Sequence, residues 1–462
     1  MQPNARTLAE EDRAYVWHPF TQMAEYEPLI IERAEGCTLY DVDGNAYLDG
    51  VSSLWCNVHG HRHPRIDAAI VEQLSRVAHT TLLGASNPTT IRLAKRLVEV
   101  APAGLAHVFF SDDGATAVEV ALKMAYQYWR QRPDPRPEKT RFVALGDAYH
   151  GDTLGACAVG GIERFHELFR PLLFDVLRVP APDMYRLPPG IAADRALDYY
   201  VGFVERTLAE RHGELAALVV EPLVQCAAGI LVHPPGYLRA VADLARRYEV
   251  LLIADEVAVG FGRTGTLFAC ENEGVSPDLL CLAKGITGGY LPLGATLATE
   301  EIYQAFLGHY DESKTLFHGH TYGGNPLAAA AALASLDVFV EERTLENLPP
   351  KIARLEEHLA RLAEHPRVGN VRQCGLIGGV ELVADKATKT PYPWAEKRGI
   401  AVCHKAREFG VLLRPLGNVI VVMPPLSVTL AELDTIAEAV RSAIDATFSK
   451  AESRKPKAGY GA

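Results

Sequence analysis

The 462-residue chain has no cysteine pair at a metal or redox spacing. Its eight cysteines, at 37, 56, 157, 226, 270, 281, 374 and 403, are scattered, and none forms a CxxC. That excludes a zinc ribbon or a disulfide-dense scaffold and points to reduced thiols. No run approaches the roughly 20 apolar residues that a membrane span requires, so no membrane partner is expected. The opening MQPNARTLAEEDRAY lacks the apolar core of a secretory signal, and a cytoplasmic location is expected. Basic residues are in deficit: 46 Lys and Arg against 57 Asp and Glu give a formal net charge of -11. Nucleic-acid binding rests on neutralising phosphates with Lys and Arg, so no nucleic-acid partner is expected either.

What is present suits a large enzyme. With 48% hydrophobic and 22% charged residues the chain can bury a substantial core. At about 100–200 residues per domain, two or three domains are expected. Residues 1–75 mix short strands and turns, with Asp43-Gly44-Asn45 as a hairpin turn. From 76 to 335 strands alternate with helices; strand candidates are 107–110, 141–145, 217–221, 250–255, 278–283 and 294–299. Val118, Leu122, Ala125 and Trp129 keep helical spacing, as does 237–248. This alternation predicts an α/β fold with a mostly parallel sheet covered by helices. After Asn325-Pro326 an alanine-rich helix spans 327–340. Residues 336–447 read as a smaller second domain with short strands at 375–380 and 419–423. The polar stretch 448–462 reads as a disordered tail.

The chemistry concentrates at strand ends. The apolar run 250–253 ends on Asp255, and 279–282 ends at Lys284. Strand ends at the carboxyl edge of an open α/β sheet are where ligands bind. A lysine and a carboxylate delivered there suit pyridoxal phosphate, which needs an amine for a Schiff base and an acid facing its pyridine nitrogen. Adjacent strand residues point to opposite faces, so of Asp255 and Glu256 only one meets the ligand, and the strand period selects Asp255. Ser111 to Thr116 opens a helix after the strand HVFF. Such a start is an anion site, with small residues allowing a phosphate close approach, although Ser111 or Asp113 could equally be an ordinary cap. Tyr149, in AYHGD after the strand RFVAL, stands at the same edge and could stack on an aromatic cofactor. Gly260 to Gly265 matches GxGxxG, but no long helix follows and Asp278 precedes its strand instead of ending it, which argues against a dinucleotide fold. The histidines at 59, 61, 63, 318 and 320 lack zinc spacings and read as loop residues, so no metal is expected.

Taken together, DEVAVGFGRTG, CLAKGITGGYLPLGA, AYHGDT and HGHTYGGNPLAAAAAL resemble the class III aminotransferases, which have the fold type I architecture. The resemblance runs from about residue 15 to 445. It implies a large cofactor-binding domain and a smaller α+β domain built from both chain ends. WHPFTQM at 17–23, SSLW at 52–55, QYW at 127–129 and RPLG at 414–417 narrow the implied activity to transamination of 8-amino-7-oxononanoate to 7,8-diaminononanoate in biotin synthesis. By the same resemblance Lys284 carries pyridoxal phosphate and moves the proton, and Asp255 keeps the ring nitrogen protonated. Gly114 and Ala115 match the phosphate turn, and Tyr149 the residue stacked on the ring. Thr321 matches a threonine reaching the phosphate of the neighbouring subunit, which implies a homodimer with the active site at its interface. Arg414 matches the arginine that grips the substrate carboxylate, and Phe20, Trp55 and Gly319 fall in substrate-contacting segments.

Departures from familiar members lie where substrate is gripped. Phe20 replaces a common tyrosine, Leu54 a common tryptophan, Val421 a tyrosine, Cys226 a glycine and Val259 a threonine. The amino donor therefore stays open between S-adenosylmethionine and lysine. A broad ω-amino-acid or diamine transaminase shares every cofactor residue, racemases and mutases of this fold share most, and a non-catalytic binder would have little use for them.

Overall fold

The computed structural model describes residues 5–452. Its largest sheet has seven strands in the spatial order Leu105–Ser111, Gly294–Thr299, Leu279–Leu282, Leu251–Asp255, Leu215–Val220, Arg141–Leu145 and Val176–Val179. Neighbours are parallel except where Gly294–Thr299 runs against both of its partners. Ser111, Leu145, Val220, Asp255 and Leu282 therefore all finish at one edge.

Side-chain alternation along these strands builds two cores. Leu252, Ala254, Leu280, Leu282, Leu218 and Val220 face one cluster, while Leu251, Ile253, Leu279, Cys281, Ala217 and Val219 face another. The Gly114–Gln131 helix covers the second face with Val118, Leu122, Ala125 and Trp129, at the spacing its sequence predicts. Trp129 is buried because its indole N–H finds the carbonyl of Ala216 at 2.8 Å. The Ala196–Arg211 and Tyr237–Arg247 helices cover the other face. Burying each Val, Leu or Ile contributes about 1.5–3 kcal/mol, so a doubly covered sheet is a rigid base for a site at its rim.

All six expected strands form. The Val176–Val179 strand is additional: four residues pairing Phe142 to Leu145 at the sheet edge. The strand expected at 217–221 starts at Leu215 and stops at Val220, which leaves Glu221 just past its end. Asp43-Gly44-Asn45 turns between Thr38–Asp41 and Ala46–Asp49 as the hairpin reading predicts.

Three smaller sheets accompany the large one, the smallest pairing Val224–Gln225 with Leu231–Val232. Ile31–Glu35, Thr38–Asp41 and Ala46–Asp49 are joined by Val411–Leu412 from the far end of the chain. Val368–Cys374, Ile377–Asp385, Val419–Val422 and Arg414–Leu416 form another, with Thr390–Pro391 paired to Ile377–Asp385 as its fifth strand. The Pro326–Glu341 helix is buried on almost every face, since its alanines let the Pro64–Leu74 helix approach closely. The last helix, Leu430–Glu452, runs past residue 448, where a disordered tail was expected to begin. Phe448 holds it there, 7% exposed and stacked on Tyr392 at 5.3 Å. Residues 453–462 of that expected tail lie outside the described residues. No helix among the described residues is long and apolar enough to cross a membrane.

Candidate active site

A cavity of about 710 Å³ opens at the carboxyl edge of the large sheet, within the roughly 300–1,000 Å³ of small-molecule sites. Lys284, Asp255, Tyr149, Gly114, Ala115 and Trp55 all line it. Lys284 follows its strand with φ 43°, a left-handed conformation that costs a non-glycine residue roughly 1–2 kcal/mol. Its ammonium lies 5.6 Å from the centroid of the Trp55 ring, and it makes no ion pair among the described residues. Gly285 permits this turn, because a Cβ there would meet Phe261 Cβ at 2.9 Å.

Trp55 arrives from the opposite end of the chain on a strained segment. Ser52, Ser53 and Trp55 have φ of 52°, 59° and 64°. Asp49, fully buried, holds that turn by accepting N–H bonds from Val51 at 3.2 Å and Ser53 at 2.8 Å. Ser52 Oγ ties it to the carbonyl of Met423 at 2.6 Å.

Asp255 is 4% exposed and both of its oxygens are used. Oδ2 bonds His150 Nδ1 at 2.7 Å, and Oδ1 accepts from the Val257 N–H at 3.0 Å. Glu256 turns away, as strand alternation requires, and accepts from the N–H groups of Ala269 at 2.6 Å and Cys270 at 2.8 Å. The sequence reading missed His150 because its partner lies 105 residues away. It missed Glu221 as well. That buried carboxyl accepts from the Tyr149 N–H at 3.0 Å and the Cys226 N–H at 3.1 Å, clamping two loops over the sheet. Burial pushes it up to about 7, with the His150 ring and the two N–H bonds acting the other way. Tyr149 donates its hydroxyl to Asp152 at 2.6 Å, and burial followed by Asp152 raises its pKa above the usual phenol range.

The Gly114–Gln131 helix begins at the cavity wall. Asp113 caps it, accepting from the Thr116 N–H at 2.8 Å in a capping box. The cap uses one N–H; the first-turn amides of Gly114 and Ala115 have no intrahelical partner and belong to cavity-lining residues. A Cβ on Gly114 would meet Val257 Cγ1 at 2.5 Å, so only glycine lets helix start and strand end approach this closely. The residues fit pyridoxal phosphate: an amine, a fixed carboxylate, an aromatic wall and an anion-binding helix start share one cavity. Three cavity-lining polar atoms, Trp55 Nε1, His150 Nε2 and Thr153 Oγ1, are buried without a hydrogen-bond partner, as expected of a polar ligand's site.

The remaining sequence candidates stand apart from the cavity wall. Arg414 is half-buried on the Arg414–Leu416 strand near Tyr149; burial lowers its pKa and Tyr149 opposes that. It makes no ion pair or side-chain hydrogen bond among the described residues. Phe20 is 58% exposed and meets Phe165 edge-on at 5.3 Å. Gly319 and Thr321 sit on an exposed segment beyond the cavity of their own chain.

The Aminotransferase class-III family profile matches residues 21–444. The chain is 58% identical over 440 residues to the adenosylmethionine-8-amino-7-oxononanoate aminotransferase of Nitratidesulfovibrio vulgaris, covering 95% of this chain and 81% of that one. Its identity to the protein of that name from Geobacter sulfurreducens is 53%, covering 96% and 98%. The crystal structure of the Methanocaldococcus jannaschii protein of that name superposes with a TM-score of 0.91 at 45% identity, over 96% and 99% of the two chains. An (S)-enantioselective omega-transaminase from Thermomicrobium roseum gives 0.92 at 38% identity, over 97% and 100%. With the profile spanning nearly the whole chain and a lysine and an aspartate meeting at one cavity, this protein belongs to the class III aminotransferases.

Proposed function

We propose that this enzyme moves an amino group onto 8-amino-7-oxononanoate to give 7,8-diaminononanoate, the transamination of biotin synthesis, with pyridoxal 5′-phosphate as its cofactor. The observation that carries the reading is near-full-length identity of 53–58% to aminotransferases named for that substrate. When bound, pyridoxal phosphate supplies an electron sink for the carbon that loses its proton. Lys284 Nζ would tether the cofactor, and its free amine would take a proton from the donor carbon and return one on the acceptor side. Asp255 holds a proton on the pyridine nitrogen, and His150 with the Val257 N–H fixes the carboxylate for that task. Glu221 fixes the Tyr149 backbone N–H, so that Tyr149 would offer its ring as an aromatic wall to the cofactor. Gly114 and Ala115 present amide N–H groups to the phosphate.

Arg414 binds the terminal carboxylate of the acceptor, which suits an unpaired guanidinium fork. Trp55, Phe20 and Gly319 shape the surrounding pocket. Thr321 serves the phosphate of a neighbouring subunit, which makes the working unit a homodimer. The setting is cytoplasmic, which the eight free cysteines support. The donor is S-adenosylmethionine or lysine.

The likeness to the T. roseum omega-transaminase favours a second reading, a broad ω-amino-acid or diamine transaminase using pyruvate. One experiment separates them. Purified protein loaded with pyridoxal phosphate is given 8-amino-7-oxononanoate with either donor, and diaminononanoate is followed by mass spectrometry. Formation of diaminononanoate with one of the donors, absent in Lys284→Ala, is expected. A yellow, folded enzyme that aminates pyruvate but leaves the oxononanoate untouched replaces this reading with the broader one.

A further inference from the structure

We propose that Asp152, Cys157 and His166 form a binding site for zinc, or a similar divalent transition ion, beside the catalytic cavity. One carboxylate oxygen, the thiol sulfur and one ring nitrogen of this trio all lie within 4.8 Å of one another. His166 is 6% exposed, yet neither of its ring nitrogens has a hydrogen-bond partner among the described residues. An imidazole buried this way forfeits both of its polar contacts unless something else fills them. Cys157 is 5% exposed, its thiol reaching only as far as the Gly151 carbonyl at 3.6 Å. Asp152 is exposed and lines the cavity, which gives an ion its entry path.

The donor set fits the ion. Imidazole nitrogen, thiolate sulfur and carboxylate oxygen are the three ligand types of protein zinc, and three of them leave a fourth position for water. Tetrahedral zinc holds ligands at about 2.0–2.3 Å, so its ligand atoms stand roughly 3.3–3.8 Å apart. The three ligand atoms would draw together by about 1 Å to reach that geometry, with Asp152 as the exposed member of the trio. Cys157 is a free cysteine and enters as a thiol. Binding breaks its S–H bond, forms S–Zn and releases the proton to solvent.

Occupancy has a consequence for catalysis that rests on the role proposed for Tyr149. Asp152 now accepts the Tyr149 hydroxyl at 2.6 Å. An ion that takes this carboxylate leaves the hydroxyl at the cavity wall without its acceptor, so the metal inhibits.

The test uses untagged, cofactor-loaded enzyme and cobalt(II) as the probe. One cobalt per chain is expected, with the visible bands of a tetrahedral site, a thiolate charge-transfer band and one proton released. Cys157→Ala and His166→Leu should each abolish both band systems. Loss of a direct ligand must exceed the roughly 10- to 100-fold weakening that follows loss of an outer-shell partner. Retained cofactor absorbance and circular dichroism show that each variant is folded. No stoichiometric cobalt uptake, or bands that persist in either variant, overturns the site. In a parallel assay zinc should inhibit the parent enzyme and spare Cys157→Ala, whose metal-free activity is unchanged. Stoichiometric binding without inhibition leaves the site standing and overturns the link to Tyr149.

Discussion

Arg414 is a half-buried cation and Glu256 a fully buried carboxyl, and each makes a different demand at the level of a single side chain. Among the described residues Arg414 forms no ion pair to compensate it. A bidentate bond to a substrate carboxylate would do so, and charge-assisted bonds are worth about 1.5–3 kcal/mol. Arg414→Lys keeps the charge but loses the fork. KM for 8-amino-7-oxononanoate should rise roughly 10- to 100-fold with kcat little changed. A fall in kcat at constant KM would assign Arg414 to the chemical step instead. Glu256 is fully buried, and desolvation lifts its carboxyl from 4.5 to about 7 against the pull of two N–H bonds. The folded state therefore keeps a proton that the unfolded chain has already released. Its stabilising contribution is complete below about pH 4.5 and is lost as pH rises towards 7. Relative to Glu256→Gln, the parent should lose about 3 kcal/mol of unfolding free energy across that window, read by urea denaturation. A difference that stays constant with pH rejects this. Lys284 and Asp255 were legible in the sequence because an apolar run that stops on a charged residue marks a strand end. His150 and Glu221 were not, since one histidine and one glutamate in loops mean nothing until folding sets them against Asp255 and Tyr149.

Between elements, the contact that matters most is the start of the Gly114–Gln131 helix against the loop after Asp255. Its geometry allows no side chain at 114: a new Cβ falls 2.5 Å from Val257 Cγ1 and 2.9 Å from Cγ2. Val257 also supplies the N–H that fixes Asp255, so pushing it aside disturbs two walls of the cavity at once. Overpacking of this kind costs typically 1–3 kcal/mol, or roughly 5- to 150-fold in cofactor affinity. Gly114→Ala should weaken pyridoxal phosphate by that amount in equilibrium dialysis. Adding Val257→Ala, which clears the space while keeping the backbone N–H, should recover most of the loss. If the double variant binds no better than the single one, the glycine is needed for its backbone and not for the space. The sequence showed this helix and its cap but not the clash, because nothing in a local pattern says that residue 257 will lie beside residue 114. The Val176–Val179 strand escaped for a related reason. Four residues after an irregular, proline-containing stretch carry too short a period to read, and they become a strand only because Phe142 to Leu145 offer an edge.

At the scale of the whole molecule, the placement of Thr321 makes its own prediction. It lies on an exposed segment with Phe317 at 77% and Tyr322 at 63% exposure, outside the cavity that holds Lys284 of the same chain. Apolar rings this exposed around a polar residue suit a surface covered by a second copy. If Thr321 of each chain serves the other chain's phosphate, two crippled chains can repair one another. Lys284→Ala alone is inactive, and Thr321→Val at limiting cofactor is weakened by the loss of one charge-assisted bond, roughly tenfold or more. In a hybrid dimer, Lys284 from the second chain meets the intact Thr321 of the first, so one whole site is restored. The other site carries both lesions. After unfolding and refolding an equal mixture, half of the dimers are hybrids with one working site in two, giving about a quarter of the parent activity. Thr321 acting within its own chain predicts no gain on mixing, because neither parent then supplies a complete site. A rise to that level, absent when the variants are mixed without exchange, therefore reports directly on whose phosphate the hydroxyl touches.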